Sequence, residues 1–118
     1  MSNFVTKDSR KRMKFKNGFV RDTQDDKPRY DLIYIPLLKR WAELMARGCK
    51  KYGERNWEKA EGEEALNRFK ASAWRHFIQY MSEIDDGEDH CSAIMFNLGG
   101  IELLKEKRKN DKHRTTNI

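Results

Sequence analysis

The sequence predicts an all-α fold: a small helical bundle built on an antiparallel helix hairpin and completed by oligomerisation. Three observations predict it. Apolar residues recur every three or four positions in three separate segments, which puts them on one face of each of three helices. No stretch alternates apolar and polar residues over a useful strand length. The two strongest periodic segments are separated only by a short acidic turn, as in a helical hairpin. With 118 residues the chain makes one domain with a limited core. Exposed stripes on three helices would leave apolar surface uncovered in a monomer, so a homo-oligomer, dimer or tetramer, is expected.

Residues 1–35 carry little helical periodicity. Asn17-Gly18-Phe19-Val20-Arg21-Asp22 and Lys27-Pro28-Arg29-Tyr30-Asp31 contain breakers and polar residues, and read as ordered or semi-ordered loops. Pro36 then suits a first helical turn, where its missing N–H has no partner to lose. The helix it opens carries Leu37, Leu38, Trp41, Leu44 and Met45 on one face and stops at Gly53. After a loop from Glu54 to Gly62, a second helix runs from about Glu63 to Ile84, with Leu66, Phe69, Ala73, Trp74, Phe77, Tyr80, Met81 and Ile84 in register. A third runs from about Glu88 to Lys107, with Ile94, Met95, Leu98, Ile101 and Leu103 or Leu104 inward, its acidic start matching the helix dipole. Gly99-Gly100 inside it costs about 1 kcal/mol per glycine against alanine, which close approach of a neighbouring helix would explain. Trp41 and Trp74 read as core, whereas Trp57 falls in a polar loop.

The net charge is +6, and the positive residues are concentrated at the ends. Arg10, Lys11, Arg12, Lys14 and Lys16 define a basic, flexible N-terminal arm (1–16), and Lys105, Lys107, Arg108, Lys109, Lys112 and Arg114 a basic, flexible C-terminal tail (105–118), around a nearly balanced domain (17–104). Such ends can touch nucleic acid, but no zinc-finger or RNA-binding motif accompanies them, so nucleic acid is not the favoured partner. The apolar runs are too short for a membrane span and the N-terminus lacks a signal-peptide core, which excludes a membrane protein and points to the cytoplasm. Cys49 and Cys91 lack metal-ligand spacing and read as buried thiols.

Between the second and third helices lies Glu83-Ile84-Asp85-Asp86-Gly87-Glu88-Asp89-His90, with five carboxylates in seven residues. Like charges so crowded repel unless something positive sits among them, which suggests a divalent cation held by Glu83, Asp86 and Asp89. The same residues also fit plain turn and helix-start chemistry. His76, Tyr80 and Glu83 form a stripe on the second helix that leads to this acidic end. His76 and His90 fit equally a satisfied boundary histidine and a helix-start residue.

Asn17 to Asp22, Lys27 to Ile33, Lys51-Tyr52-Gly53 through Asn56-Trp57, Arg75-His76, and Glu88-Asp89-His90 ending at Asn97 occur in that order. Together they resemble the phage-associated dATP/dGTP diphosphohydrolase family, a MazG-like branch of the all-α nucleoside triphosphate pyrophosphohydrolases, over about Asn17 to Leu104. The resemblance implies hydrolysis of a deoxypurine triphosphate between its α and β phosphates, giving a monophosphate and pyrophosphate with Mg²⁺ or Mn²⁺, in the control of a phage nucleotide pool. The wider group pairs Glu-x-x-Glu on one helix with Glu-x-x-Asp on the next. Here only Glu83-x-x-Asp86 matches, and the first pair is not evident.

Under this resemblance Glu83, Asp86, Glu88 and Asp89 hold the ions, and Glu83, Asp86, Asp89 and His76 form the catalytic group. Lys27, Arg29, Lys50, Lys51 and Arg55 neutralise the triphosphate. Tyr30, Tyr52 or Trp57 stacks on the base, Asn56 or Asn97 reads its edge, and His90 donates to phosphate or orients a carboxylate. Two other readings stay open: a phage protein of this fold that binds and sequesters a nucleotide or signalling molecule without turnover, and a basic helical protein associated with nucleic acid.

Overall fold

The structure, a computed structural model, describes residues 5–116; the outermost residues of the two basic ends, 1–4 and 117–118, and the side chains of Lys112 and Arg114 lie outside the described part. The chain divides into two units, one up to Ile33 and one from Tyr34 onward.

The first unit holds a feature that the periodicity did not predict. Strands β1 (Arg12–Lys14) and β2 (Val20–Asp22) pair antiparallel, with Arg12 opposite Asp22 and Lys14 opposite Val20. At three residues each they are too short to display alternation. The signal that marks them is the turn between: Gly18 has a positive φ of +89°, the Asn17 side-chain oxygen accepts the Phe19 N–H at 3.1 Å, and Phe15 and Phe19 pack rings 5.2 Å apart. Asp22 gathers the unit's polar contacts, accepting from the Ser9 N–H and hydroxyl and pairing with Lys27 at 3.4 Å. The Ser9 hydroxyl, first among these, holds its carboxyl down at about 2.

The second unit is helical: α1 (Ile35–Tyr52), α2 (Gly62–Met81) and α3 (His90–Thr116), with a 3₁₀ turn at Asn56–Lys59. Pro36 sits in the first turn of α1 as its missing N–H requires, and Gly53, at φ +95°, closes that helix by donating to the Cys49 carbonyl. The second helix stops three residues before the expected Ile84. Glu83 adopts a left-handed φ of +56°, and the Glu83 and Ile84 N–H groups donate to the carbonyls of Tyr80 and Gln79, a Schellman end with glutamate where glycine is usual.

The third helix, in contrast, runs past the expected Lys107 to Thr116, so the residues read as a flexible tail from 105 are helical. Two of that tail's cations tie it to the rest of the fold. The Lys107 ammonium donates to the carbonyls of Glu58 and Ala60 at 2.7 Å each, and Arg108 pairs with Glu63 at 2.7 Å. No helix among the described residues is long and apolar enough to cross a membrane.

The α2–α3 hairpin carries the core: Leu66, Ile101 and Leu104, surrounded by Ala60, Ala65, Phe69 and Ala73. The upper half of the expected α2 stripe is not core. Trp74, Phe77, Tyr80, Met81 and Ile84 are exposed, Trp74 to 67%, because α1 leaves that face of the hairpin uncovered. Cys49 is exposed and Cys91 half-buried, so neither is the buried thiol expected.

The two glycines of α3 have different environments. A Cβ on Gly100 would stand 2.5 Å from the Phe69 ring, whereas one on Gly99 would meet nothing within 4 Å. Helical propensity favours alanine at both sites by about 1 kcal/mol, but overpacking at Gly100 costs about 1–3 kcal/mol. Thermal unfolding should therefore show Gly99→Ala melting above the wild type and Gly100→Ala at or below it; two equal upward shifts would contradict the close approach.

Candidate active-site cleft

A cleft of about 1090 Å³ lies in the helical unit, walled by one face of α1, the connection after it, the middle of α2 and the start of α3. The α1 face is made by Arg40, Glu43, Leu44, Arg47 and Lys51, at spacings of three and four. Gly53 turns the chain so that Arg55, Asn56 and Trp57 continue the wall. His76, Glu88, Asp89 and Asn97 complete it from α2, the acidic turn and α3.

Asp89 is the N-cap of α3. Its carboxylate accepts the Ser92 N–H at 3.1 Å and the Ser92 hydroxyl at 2.8 Å, which satisfies a donor the helix end leaves orphaned. The same carboxylate takes a bidentate pair from Arg40 on α1, with both nitrogens at 2.8 Å. The Arg40 guanidinium, chief among these partners, holds the Asp89 carboxyl far below the usual carboxylate range, and Arg40 is correspondingly raised.

With Asp89 as cap, His90 becomes the first helical residue and turns inward, 4% exposed, against His76 of α2 at 8%. The two Nδ1 atoms are 2.9 Å apart, and His90 Nε2 lies 2.8 Å from an Asp86 oxygen. The Asp86 carboxyl is lowered first by the Glu88 N–H donating to it and then by His90, so it is ionised and accepts. His90 therefore carries a proton on Nε2, and the contact between the two Nδ1 atoms takes one further proton; with His90 neutral, His76 donates it from its own Nδ1. Burial, followed by the nearby Arg75, lowers His76, which keeps that ring neutral at pH 7.

Among the described residues, the group of three or more potential metal-ligating side chains whose donor atoms converge is His76, Glu88 and His90, all within 4.8 Å of one another. The expected set of Glu83, Asp86, Glu88 and Asp89 does not form such a group. Asp89 is engaged by Arg40 and Ser92, Asp86 faces His90, and Glu83 lines a smaller cleft of about 530 Å³, with Tyr80 and Ile84, that shares Arg40, Glu88 and Asp89 with the main one. The crowding of charge in the sequence is thus relieved by an arginine, a hydroxyl, a histidine and solvent.

Of the expected phosphate and base contacts, the main cleft brings together Lys51, Tyr52, Arg55, Asn56, Trp57 and Asn97. Arg55 is paired with Glu58, the Lys51 ammonium lies 5.1 Å from the centre of the Tyr52 ring, and Asn97 donates its amide N–H to the Ala93 carbonyl at 2.8 Å. Lys50 does not line this cleft. Lys27, Arg29 and Tyr30 belong to the first unit, where Lys27 pairs with Asp22 and Arg29 with Asp31, and Tyr30 is 73% exposed. Sequence reasoning missed Arg40, Glu43 and Arg47; their shared α1 face with Lys51 was the signal available. Among the described residues Arg47 has no ion-pair partner, and neither do the carboxylates of Glu43 and Glu88.

A family model described as dATP/dGTP diphosphohydrolase, N-terminal, matches residues 18–114. The chain belongs to this family. Its match takes in part of the first unit, from Gly18, and every residue of the cleft. Compared with curated proteins and with solved structures, the chain matches none. The family's description agrees with the resemblance read from the sequence and with a divalent ion as cofactor, for which the His76–Glu88–His90 cluster is a candidate seat.

The depressed Asp89 carboxyl carries a pH signature. Its stabilisation is complete above the ordinary value of 3.8 and is lost as pH falls below it toward the lower folded value. Asp89→Asn should therefore lower the melting temperature at neutral pH, and the gap should close on acidification below about pH 4. A gap of constant size across pH would contradict the pairing.

Proposed function

We propose that this protein hydrolyses dATP or dGTP to the deoxynucleoside monophosphate and pyrophosphate with a divalent ion, Mg²⁺ or Mn²⁺, as cofactor. The observation that carries this reading is the shared lining of one cleft: unpaired cations, aromatic rings, and acid and imidazole groups on three facing walls. Arg47 and Lys51 are free to meet phosphate oxygens, the arginine bidentately and the lysine as a mobile charge. Trp57 and Tyr52 offer ring faces to the purine. Asn97 retains a side-chain carbonyl to accept from a purine amino group, while Asn56 offers a second amide in the same wall.

In the reaction a water oxygen bonds to the α phosphorus while the α–β bridging P–O bond breaks and pyrophosphate departs. The chain holds the triphosphate for this in-line displacement. The proton that the water loses passes to the unpartnered cleft carboxylate of Glu43. When bound, a divalent ion supplies charge neutralisation of the phosphates and acidification of water. Asp89 has a positioning role here in place of the ligand role expected from sequence, since its oxygens hold Arg40 and the α3 start.

The engagement of Asp89 and the absence of an evident first acid pair favour a second reading, a protein that binds the nucleotide without turnover. The basic-protein reading loses support, since Lys107 and Arg108 have structural partners.

The exposed face of α2, with Trp74, Phe77, Ile78 and Met81 at helical spacing, is the surface on which we place a second copy of the chain. It is of the kind that a small helical unit covers by self-association. Light scattering should give a dimer or tetramer, and Trp74→Arg with Phe77→Arg should reduce it to one chain; a wild-type mass of one chain would contradict this.

Incubation with each dNTP and Mg²⁺ or Mn²⁺, with products resolved by ion exchange, should yield monophosphate and pyrophosphate from a purine substrate. Arg47→Ala and Lys51→Ala each remove a charge-assisted contact of about 1.5–3 kcal/mol, and should lower kcat/KM about 10- to 100-fold, mainly through KM. Calorimetric binding of dATP or dGTP without products would favour the sequestering reading.

A further inference from the structure

We infer that His76 Nδ1, His90 Nδ1 and the Glu88 carboxylate form a three-donor seat for a transition-metal ion of the Mn²⁺, Fe²⁺, Co²⁺, Ni²⁺ or Zn²⁺ class, and that Mg²⁺ is a poor occupant. This builds on the divalent-ion requirement proposed above and names the ion class and its ligands.

The first argument is donor chemistry. Mg²⁺ dehydrates reluctantly and takes oxygen ligands, so two imidazole nitrogens do not suit it, whereas imidazole with carboxylate suits the first-row transition ions. The converging group contains two imidazoles and one acid, and the carboxylates expected to make an all-oxygen site have other partners.

The second is geometry. Two nitrogens each about 2.1 Å from one ion and at a right angle to one another stand about 3.0 Å apart, and at the tetrahedral angle about 3.4 Å. The Nδ1 atoms are 2.9 Å apart, which matches adjacent positions of a six-coordinate ion. Two histidines and one carboxylate would occupy one face of such an ion and leave the opposite face for water or phosphate oxygens, on a cluster that two of its members extend into the main cleft.

The third is support for the ligands. Metal-bound histidines hand their second nitrogen to a carboxylate or carbonyl, which fixes ring and tautomer. His90 does this already, with Nε2 on Asp86 at 2.8 Å, and Asp86 is in turn held by the Glu88 N–H at 3.1 Å. Binding requires the His76 proton to move from Nδ1 to Nε2 and the two rings to turn from one another toward the ion as the histidine–histidine hydrogen bond gives way.

The test uses the full chain, freed of metal by chelation, with no nucleotide present. Titration with Co²⁺ should raise visible d–d absorption and saturate at one ion per chain, and calorimetry should show Co²⁺ and Zn²⁺ binding at least 100-fold tighter than Mg²⁺. His76→Asn and His90→Gln should abolish the Co²⁺ spectrum, Glu88→Gln should weaken binding, and Asp86→Asn should weaken it about 10- to 100-fold. Glu64→Gln, at an exposed position on α2, should leave it unchanged. Because the histidine variants remove buried side chains, ¹⁵N-histidine spectra of the wild type with Zn²⁺ provide a second readout, in which the Nδ1 atoms of His76 and His90 should shift on binding.

Mg²⁺ binding as tight as Co²⁺, or zinc on Nε2 or on neither ring, would overturn the inference. Co²⁺ binding through these histidines in a protein that hydrolyses no nucleotide would uphold it and remove the hydrolase reading. Turnover with Mg²⁺ in a protein whose histidines take up no Co²⁺ would do the reverse.

Discussion

The chemistry available to the cleft depends on where α3 begins. Asp89 fixes that point twice over, by accepting the Ser92 N–H and hydroxyl as a helix cap and by receiving the Arg40 guanidinium from α1. A helix starting one turn earlier would carry His90 around the axis and away from His76. With the start held at His90, its imidazole bridges Asp86 on one side and His76 on the other, and Glu88 is left beside both rings. The ion pair does more than add stability, since it also joins the charged α1 wall to the wall of acid and imidazole groups.

The division of labour among the charges follows from this. A cleft for a triphosphate needs cations that are free and acids that are not all free, because unpaired carboxylates would repel the substrate. Arg40 and Asp89 neutralise one another, while Arg47 and Lys51 keep their charges available. Asp86 directs its charge toward His90 and fixes the orientation of that ring. The exposed α2 face stands apart from this polar arrangement. Its apolar residues, Trp74, Phe77, Ile78 and Met81, are exposed and do not line the main cleft.

Much of this was legible in the sequence because helix and turn chemistry is local. Pro36, Gly53 and the apolar spacing predicted α1 closely, and the Gly99-Gly100 pair pointed to a close helix contact, which occurs at Gly100 on Phe69. The β-ribbon escaped because its strands are shorter than one period of alternation can reveal, and the end of α2 because glutamate stands where a Schellman turn ordinarily has glycine. Trp74, Phe77 and Met81 were read as core since periodicity identifies an apolar face and not what covers it.

At the site, the sequence located the acidic turn and both histidines but could not assign the acids their partners. Whether Asp89 faces an ion or an arginine depends on Arg40, which lies 49 residues away in the chain. Spacing rules on one helix carry no information about that meeting. The cleft face of α1 repeats at helical spacing as its apolar stripe does, but an exposed charged face is ordinary for a surface helix, so the spacing of Glu43 and Arg47 does not mark a site.

The site depends most directly on the proton positions along Asp86, His90 and His76, which two-bond ¹H–¹⁵N spectra of the metal-free protein at pH 8 report. The account predicts two neutral rings of opposite tautomer: His90 protonated on Nε2 and His76 protonated on Nδ1, the form that free histidine disfavours. Both rings protonated on Nε2 would leave two bare Nδ1 atoms facing each other at 2.9 Å with no hydrogen between them, and would contradict the arrangement from which the site is built.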